Sequence, residues 1–541
     1  MSSISELLTG NPLHEEILIT AGALASKEKL PAYVVGGYVR DMLLGRVSND
    51  IDIMVEGDGI AFAKKLAKKL KVDVTVDYER FNTALIPHPE LEIEVATARK
   101  EEYEINSRKP EISPSTVEED MSRRDFTVNA IAASILPDTF GELYDPFSGL
   151  KDLQKGLIIT PLDPDETFSD DPLRMLRAVR FAAQLQYDVA PTALDSISRN
   201  IKRMEIISWE RIRDEIIKCL KTDTPSIAFY LMKETGLLAH VFPELNIMSG
   251  VEIINGKGHK DVFIHTLQVV DNAAKLTNNM DVRFAALVHD IAKPQTKHFD
   301  KEKGWTFHGH DDIGKRMLKK VAQRMKLSNN LRDYLMLLTK LHLRPITLAM
   351  EGITDSAVRR VMAEAGENID DLMILCRADI TTKNPKLVKK YMGNFERVEH
   401  LMQNVKLRDE MRSFQSPVGG EEIMEVFKIN STNGVRTTLA ALEKKGHIRR
   451  HPRLSRGIEL VNYVEPEPLS SDLREVPLIG RVAAGAPILA TQNIENTFLV
   501  DKSLIPASGD VFALRVHGES MHNAGILDGD IVLARHQENA E

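Results

Sequence analysis

Residues 33–54, YVVGGYVRDMLLGRVSNDIDIM, carry the pattern that best indicates the architecture of the first part of this 541-residue chain. Tyr33–Val35 are β-forming residues, and the Gly36–Gly37 pair predicts a tight turn at which backbone can approach a ligand closely. Apolar residues at helical spacing then predict a helix, and Asp50 and Asp52 alternate with isoleucines in a second strand. Because side chains alternate between the two faces of a strand, both carboxylates project from one face.

These two aspartates carry like charges that repel each other, so a hydrophobic core does not favour them. A divalent cation resolves the conflict, because Mg²⁺ takes one or two carboxylates together with substrate phosphates. The backbone N–H groups of the glycine turn supply donors for a triphosphate. The alternative interpretation is a solvated edge strand with two exposed aspartates, which the Asp-x-Asp pattern alone does not exclude.

The glycine pair, the Arg-Asp dipeptide at 40–41 and the Asp-Ile-Asp strand together resemble polymerase-β-type nucleotidyltransferases. Within that superfamily they resemble the branch of CCA-adding tRNA nucleotidyltransferases and bacterial poly(A) polymerases. The resemblance implies template-independent addition of C and A to tRNA 3′ ends from CTP and ATP. A poly(A) polymerase, or an enzyme that adds only C or only A, is the nearest alternative.

The resemblance also implies a catalytic centre with two metal ions. Asp50 and Asp52 would hold two Mg²⁺ ions about 3.5–4 Å apart, one activating the 3′-hydroxyl and one steadying the leaving pyrophosphate. Glu94 matches the third acidic residue of the family, and Glu92 is an equal candidate by spacing. The residues implied to bind the nucleotide are Gly36, Gly37, Arg40, Arg124, Asp125, Asn129, Asp171, Arg174, Arg177 and Arg180.

Two later motifs supply most of these nucleotide-binding residues. RRDFTVNA, residues 123–130, resembles a family motif whose arginine forks suit bidentate phosphate contacts. The segment 169–185 predicts one long helix, capped by Ser169 or Asp170, with a proline in its first turn.

Asp171 and Arg174 are three residues apart, which predicts that they share one face of that helix. They resemble the pair with which the family reads the incoming base using protein side chains. An aspartate accepts a hydrogen bond from an exocyclic amine, and an arginine donates to a ring nitrogen or carbonyl. The alternative is a structural salt bridge between the two residues.

The composition changes near residue 256, where histidines become frequent. A His-Asp dipeptide at a helix end, with a histidine upstream and an aspartate downstream, resembles the HD phosphohydrolase superfamily. Imidazole and carboxylate ligands suit Mn²⁺, Ni²⁺, Fe or Mg²⁺ better than a thiol-rich zinc site does. The resemblance implies a divalent metal on His265, His289, Asp290 and Asp379, with His308, His310 and His342 as candidate further ligands. Such a domain implies a metal-dependent phosphatase or phosphodiesterase, or else an RNA-binding body.

The sequence changes character again near residue 430. Residues 431–461 resemble the recognition helix and wing of the LexA-type SOS repressor, without the usual first helix of that module. A DNA-binding repressor is therefore the alternative function of another class, and contact with DNA through 430–461 is disfavoured. We interpret the junction as a gene fusion or assembly chimera, with a natural fused regulator as the alternative.

The last residues resemble the peptidase part of the same repressor. Ala484–Gly485 matches the scissile pair, and Ser520 matches the nucleophile. That family activates its serine with a lysine a few tens of residues downstream, and residues 521–541 contain no lysine. We therefore predict no autoproteolysis, and we expect exposed sheet edges in 476–541.

The sequence thus predicts a multidomain α+β chain. A polymerase-β-like nucleotidyltransferase head is followed by an all-α neck and body with an HD domain, a partial winged helix and an incomplete, mostly β LexA peptidase-like tail. The predicted domains are the head at 1–155, the nucleotide-selecting and RNA-binding neck at 156–245, the HD domain at 246–415, the helical tail with the partial winged helix at 416–465, and the truncated peptidase-like segment at 466–541.

Composition limits the location and the partners. The hydrophobic share of 43% and the charged share of 28% are typical of soluble globular proteins. Two cysteines in a chain of this length predict a reducing compartment, and no apolar run reaches the roughly 18–20 residues that span a bilayer. We expect a cytoplasmic protein without a signal peptide, with tRNA, ATP and CTP as partners and no membrane partner.

Overall fold

The computed structural model describes the chain in segments. These are residues 3–46, 48, 50–72, 75–102, 111–254, 257–349, 353–413, 424, 428, 432–450, 458–461, 473–479, 494–501, 511–515 and 531–535. The chain forms two compact units, residues 1–409 and 410–541. A search of the described segments finds no helix with the length and apolar character needed to cross a membrane.

A seven-stranded sheet forms the centre of the head. The helices of the head are α1 (Ser5–Leu8), α2 (Pro12–Glu28), α3 (Gly37–Leu43), α4 (Gly59–Lys69), α5 (Val117–Ser122) and α6 (Gly149–Lys155), with 3₁₀ turns at Glu79–Phe81, Thr127–Asn129 and Pro137–Thr139. The strands are β1 (Ala32–Val35), β2 (Asp50–Val55), β3 (Val76–Tyr78), β4 (Thr83–Pro87), β5 (Glu92–Thr97), β6 (Arg99–Glu102), β7 (Glu111–Pro114), β8 (Ala132–Ser134) and β9 (Leu143–Tyr144).

The strand order of this sheet is β3-β4-β5-β2-β1-β8-β9, and β6 and β7 form a separate two-stranded ribbon. β2 and β5 run parallel, and the other pairs in the sheet are antiparallel. Ile51 and Ile53 of β2 are fully buried in one core with α2 and α4. The period of two therefore places Asp50 and Asp52 on the opposite face of the sheet, as the sequence predicts.

Short helices follow the head. They are α7 (Pro164–Asp170), α8 (Leu173–Leu185), α9 (Pro191–Asn200), α10 (Trp209–Leu220), α11 (Ser226–Glu234), α12 (Leu237–Val241) and α13 (Pro243–Asn246), with a 3₁₀ segment at Ile201–Ile206. Two short parallel strands, β10 (Leu157–Ile158) and β11 (Asp188–Val189), pair beside them.

The helix predicted within residues 169–185 is confirmed from Leu173 to Leu185, but its predicted beginning at Ser169 or Asp170 is wrong. The structure has one helix ending at Asp170 and a second beginning at Leu173, with Asp171 in an extended conformation between them. The physical reason is Pro172, whose ring disfavours helical backbone at the preceding residue. Asp171 therefore lies before α8 rather than on its face, and its carboxylate accepts a hydrogen bond from the Leu173 N–H.

The histidine-rich region is also helical. Its helices are α14 (Val262–Leu276), α15 (Met280–Val288), α16 (Lys293–Thr296), α17 (His310–Arg324), α18 (Asn329–Leu341), α19 (Arg344–Thr347), α20 (Asp355–Ala365), α21 (Ile369–Ala378) and α22 (Pro385–Ser413), with a 3₁₀ turn at Gly366–Asn368. Two hairpins, β12 (Ile253–Ile254) with β13 (Lys257–Gly258) and β14 (His298–Asp300) with β15 (Gly304–Thr306), complete it. Buried residues of most helices between α7 and α22 share one continuous hydrophobic core.

The described residues of the second unit form a helix, a hairpin and a small sheet. Its elements are α23 (Thr432–Lys444), β16 (Ile448–Arg450), β17 (Ile458–Leu460), β18 (Leu473–Ile479), β19 (Ile494–Asp501), β20 (Val511–Arg515) and β21 (Ile531–Arg535). The sheet has the order β19-β18-β20-β21, and Val476, Val511 and Ala513 form its core. The predicted class, a mixed head, a helical body and a strand-rich tail, is confirmed.

Candidate active site and metal centre

Two parallel neighbouring strands bring the predicted acidic residues of the head together. β2 and β5 pair so that Asp50 lies opposite Glu92 and Asp52 lies opposite Glu94. Burial, followed by repulsion from the Glu94 carboxylate, raises the pKa of Asp52 to about 6. Crowded carboxylate oxygens are the ligands that Mg²⁺ prefers, and a bound cation would relieve this repulsion. The residues present therefore fit the Mg²⁺ that the sequence predicts.

The glycine turn lies against this acidic strand. Gly36 has a φ of 70°, which favours glycine, and a Cβ atom there would lie 2.7 Å from an Arg124 guanidinium nitrogen and 3.6 Å from Asp52 Oδ2. Any side chain at this position would therefore displace Arg124. α3 begins at the next residue, Gly37. The N–H groups of its first turn therefore lie near the Asp52 carboxylate.

A cavity of about 770 Å³ opens between the sheet and α8. Among the described residues, eight arginines and four carboxylates line it, and this excess of positive charge suits a triphosphate. Its lining residues are Gly36, Gly37, Arg40, Asp52, Arg80, Glu101, Arg123, Arg124, Asp125, Asn129, Asp171, Leu173, Arg174, Arg177, Arg180, Phe181, Gln184 and Arg211. All ten residues predicted to bind the nucleotide are among them, whereas Asp50 and Glu94 lie outside the lining.

A buried polar network fixes the arginines on one side of the cavity. Asn129 accepts a hydrogen bond from Arg40 at 2.6 Å and donates one to Asp125 at 2.9 Å. Asp125 in turn accepts from Arg177 Nε at 2.7 Å. Burial alone would raise the pKa of Asp125, but the Arg177 charge and the Asn129 hydrogen bond outweigh it and lower that pKa to about 2. The carboxylate is therefore ionised and holds Arg177 at the cavity.

The two residues predicted to read the base are held by different partners. Arg174 is buried and donates to the carbonyl oxygens of Arg123 at 2.5 Å and Thr167 at 3.4 Å. Asp171 accepts from Arg211 on α10 at 3.2 Å. Among the described residues, Asp171 thus pairs with Arg211 and not with Arg174, and the predicted alternative of a structural salt bridge between Asp171 and Arg174 is wrong.

Sequence reasoning missed four of the lining residues that carry charge or an aromatic ring. They are Arg80, Glu101, Phe181 and Arg211. Each lies in a segment whose sequence pattern is explained by its secondary structure alone. Phe181 falls on the apolar side of α8, and Arg211 lies 40 residues from its partner Asp171. Arg177 and Arg180, which the sequence predicts to bind the nucleotide, are the local signal near Phe181.

In the described part of the helical region, two sets of side chains have ligand atoms within 4.8 Å of one another. One set is His265, His289 and Asp379, and the other is Asp290, His310 and His342. Asp290 joins them: its Oδ2 lies 3.2 Å from His289 Nε2 and 3.4 Å from His265 Nε2, while its Oδ1 lies 3.4 Å from His310 Nε2. The arrangement suits two cations that share Asp290.

The outer nitrogens of these histidines fix which nitrogen faces the centre. The Nδ1 atoms of His289, His310 and His342 lie 2.6–2.9 Å from backbone carbonyl oxygens, and that of His265 lies 3.0 Å from the Thr381 hydroxyl. A carbonyl only accepts, so these three Nδ1 atoms carry the proton and donate it. Their Nε2 atoms therefore face inward, where each can ligate a metal once it carries no proton.

Charge and hydrogen bonding in this cluster also fit a bound metal. Within the described part of the chain, His289 Nε2 and Asp290 Oδ1 are buried without a hydrogen-bond partner. Burial lowers the pKa of His342 to about 4, whereas the charge of Asp290 outweighs burial and raises the pKa of His289 to about 10. With a pKa of about 10, the His289 ring carries a second proton at neutral pH. A cation bound to Asp290 would displace this proton, because metal ligation requires a neutral imidazole.

His308, which the sequence offers as a further ligand, belongs to neither set. It is exposed in the loop before α17, and Gly309, with a φ of 75°, turns the chain so that His310 enters the helix. In the tail, Ala484, Gly485 and Ser520 lie outside the described residues.

Five family models match consecutive parts of the chain. They are the poly A polymerase head domain at 32–159, the probable RNA and SrmB binding site of polymerase A at 186–248, the HD domain at 262–384, the LexA DNA binding domain at 404–457 and the peptidase S24-like domain at 477–541. The predicted order of these parts is confirmed. The LexA match begins within α22, before the point at which the sequence changes character.

Solved structures share the fold of much of the chain. An apo CCA-adding enzyme is 25% identical, with a TM-score of 0.55 over 82% of this chain and 98% of its own. The Thermotoga maritima CCA-adding enzyme complexed with tRNA is 22% identical, with a TM-score of 0.53 over 81% and 98%. A tRNA nucleotidyltransferase complexed with a primer tRNA and an ATP analogue is 23% identical, with a TM-score of 0.52 over 71% and 99%. At these identities the likeness establishes the fold.

Proposed function

We propose that this chain, which carries a poly(A) polymerase head, an RNA-binding domain and an HD domain in that order, adds C and A to tRNA 3′ ends from CTP and ATP without a template. The observation that carries the proposal is the arginine-lined cavity beside Asp52. It combines an acidic strand for Mg²⁺, cations for a triphosphate, and Asp171 and Arg174 for the base. The solved relatives that hold tRNA and an ATP analogue support the same choice.

Catalysis in such a site is mostly positioning and charge neutralisation. Two Mg²⁺ ions held by Asp50, Asp52 and Glu94 would supply the charge that activates the 3′-hydroxyl and steadies the departing pyrophosphate. The positioning comes from the chain's own residues: Gly36 leaves room for Arg124 at the cavity, Asn129 holds Arg40, and Asp125 holds Arg177.

The substrate test is direct. Purified full-length protein is incubated with tRNA lacking its CCA end, with Mg²⁺ and labelled CTP, ATP, or both. Ordered addition of C, C and A supports the proposal. Long A-tails would instead identify a poly(A) polymerase, incorporation of one nucleotide alone would identify a partial enzyme, and no incorporation by the folded protein contradicts the proposal.

Glu94 and Glu92 form a matched pair for identifying the third acidic residue. Glu94→Gln is expected to lower the rate of nucleotide addition at least about tenfold, because Glu94 pairs with Asp52, which lines the nucleotide cavity, whereas Glu92 pairs with Asp50 outside the lining. Glu92→Gln, on the same face of the same strand, is expected to change it less than about twofold. Single-turnover rates at saturating Mg²⁺ separate the two, and the reverse order would assign the role to Glu92.

Asp171 offers a test of base selection. Asp171→Ala is expected to lower the preference for CTP and ATP over UTP and GTP by about 10–100-fold, because a charge-assisted hydrogen bond to the base is lost. Asp195→Ala removes an exposed carboxylate from α9 and serves as the control. Ratios of kcat/KM for the four nucleotides give the result, and unchanged ratios would remove Asp171 from base selection.

A second activity is favoured by the two ligand sets that share Asp290. We propose a metal-dependent phosphohydrolase in the HD domain, with Mn²⁺, Ni²⁺ or Mg²⁺ on the six residues of those sets. The bound metal would supply Lewis acidity and an activated water. Lys293 and Lys260 line the adjoining cavity of about 570 Å³ and suit a phosphate. Release of inorganic phosphate, or hydrolysis of a cyclic phosphate, tests this activity.

A further inference from the structure

Phe181 on α8 lies beneath three guanidinium groups of the nucleotide cavity. The centre of its ring is 4.0 Å from the Cζ atom of Arg180, 5.2 Å from that of Arg40 and 5.4 Å from that of Arg177. All three distances fall within the roughly 6 Å reach of cation–π attraction. The side chain is 5% exposed, and its ring packs edge-on against Phe126.

Each guanidinium also has a fixed polar partner away from the ring. Arg40 is held by Asp41 and Asn129, Arg177 by Asp125, and Arg180 by Glu215 and Gln184. Three like charges therefore converge on one ring although they repel one another. A carboxylate in place of the ring would attract them as well, but it would cancel part of the positive charge that a triphosphate needs. A phenyl ring attracts cations through its quadrupole and carries no net charge.

We propose that Phe181 is a positioning residue of the nucleotide site, which holds the guanidinium groups of Arg40, Arg177 and Arg180 in place for a triphosphate without neutralising them. The inference rests on the proposed function of the cavity. Phe181 itself touches no reacting atom, so its loss acts on nucleotide affinity more than on the chemical step.

The test compares variants of the full-length protein. Phe181→Leu is expected to raise KM and the dissociation constant for ATP and CTP about tenfold while kcat stays within about threefold, because the ring contacts of three cations are lost together. Phe181→Tyr keeps the ring face, so this variant is expected to bind ATP and CTP with nearly wild-type affinity. Phe229→Leu removes a phenylalanine buried in the same hydrophobic core but absent from the cavity lining, and it should leave nucleotide affinity unchanged.

Equilibrium binding of ATP and CTP distinguishes the outcomes. Failure of the wild-type protein to bind either nucleotide would overturn the proposed function of the cavity itself. If the wild type binds but Phe181→Leu binds equally well, or if Phe229→Leu weakens binding as much, the positioning role is overturned. Should Phe181→Leu fail to fold, Phe181→Met keeps a similar volume without a ring and gives the same comparison.

Discussion

The double variant Asp50→Ala/Asp52→Ala is expected to add nucleotides at least about 10³-fold more slowly than the wild type. The two carboxylates share one face of β2, and their proposed role is to hold the cations that balance charge in the transition state. The variant should nevertheless stay folded. Burial and the Glu94 charge raise the pKa of Asp52, so its ionised form is disfavoured in the native state and its removal relieves repulsion.

This combination of lost activity and retained stability separates a functional role from a structural one. Rates of CTP and ATP incorporation into tRNA lacking its CCA end give the activity, and thermal unfolding gives the stability. Glu90→Ala removes an exposed carboxylate just before β5 and is the matched control. Activity within tenfold of the wild type would exclude Asp50 and Asp52 as the catalytic pair.

Asp290→Asn is expected to weaken metal binding by the HD domain at least about 100-fold at both positions, because one carboxylate serves both ligand sets. His342→Gln should reduce binding at one position only, since His342 belongs to one set. Nucleotide addition should stay within about twofold of the wild type in both variants, because the proposed nucleotidyltransferase site uses none of these residues. Metal content per chain, measured by mass spectrometry after dialysis against Mn²⁺ or Ni²⁺, gives the comparison.

His308→Ala is the control for these metal measurements. It removes a histidine from the same segment that is exposed and lies outside both sets, so metal content should not change. Asp290 is buried and pairs with Lys293, so the stability of Asp290→Asn is measured as well. Equal metal content in the wild type and a folded Asp290→Asn variant would contradict the shared site.

Local patterns in the sequence were enough to predict several features of the site. Alternation over 50–53 predicts that two carboxylates share a strand face, because the period of a strand is a property of its own backbone. The glycine pair predicts a turn open to a ligand, and Gly36 adopts the positive φ that favours glycine. Local reasoning failed at the beginning of α8, where a cap at Ser169 or Asp170 predicts that Asp171 lies in the helix, but Pro172 keeps Asp171 extended.

Sequence patterns were sufficient for the order of the head, the helical body and the strand-rich tail, and for the strand face that carries Asp50 and Asp52. Which distant residues meet follows from tertiary contacts. Strand register places Glu94 beside Asp52, helix packing brings Arg211 to Asp171, and the HD helices converge so that two histidine sets share Asp290. The physical reason is that periodicity is fixed by local backbone geometry, whereas register and packing depend on contacts between segments tens of residues apart.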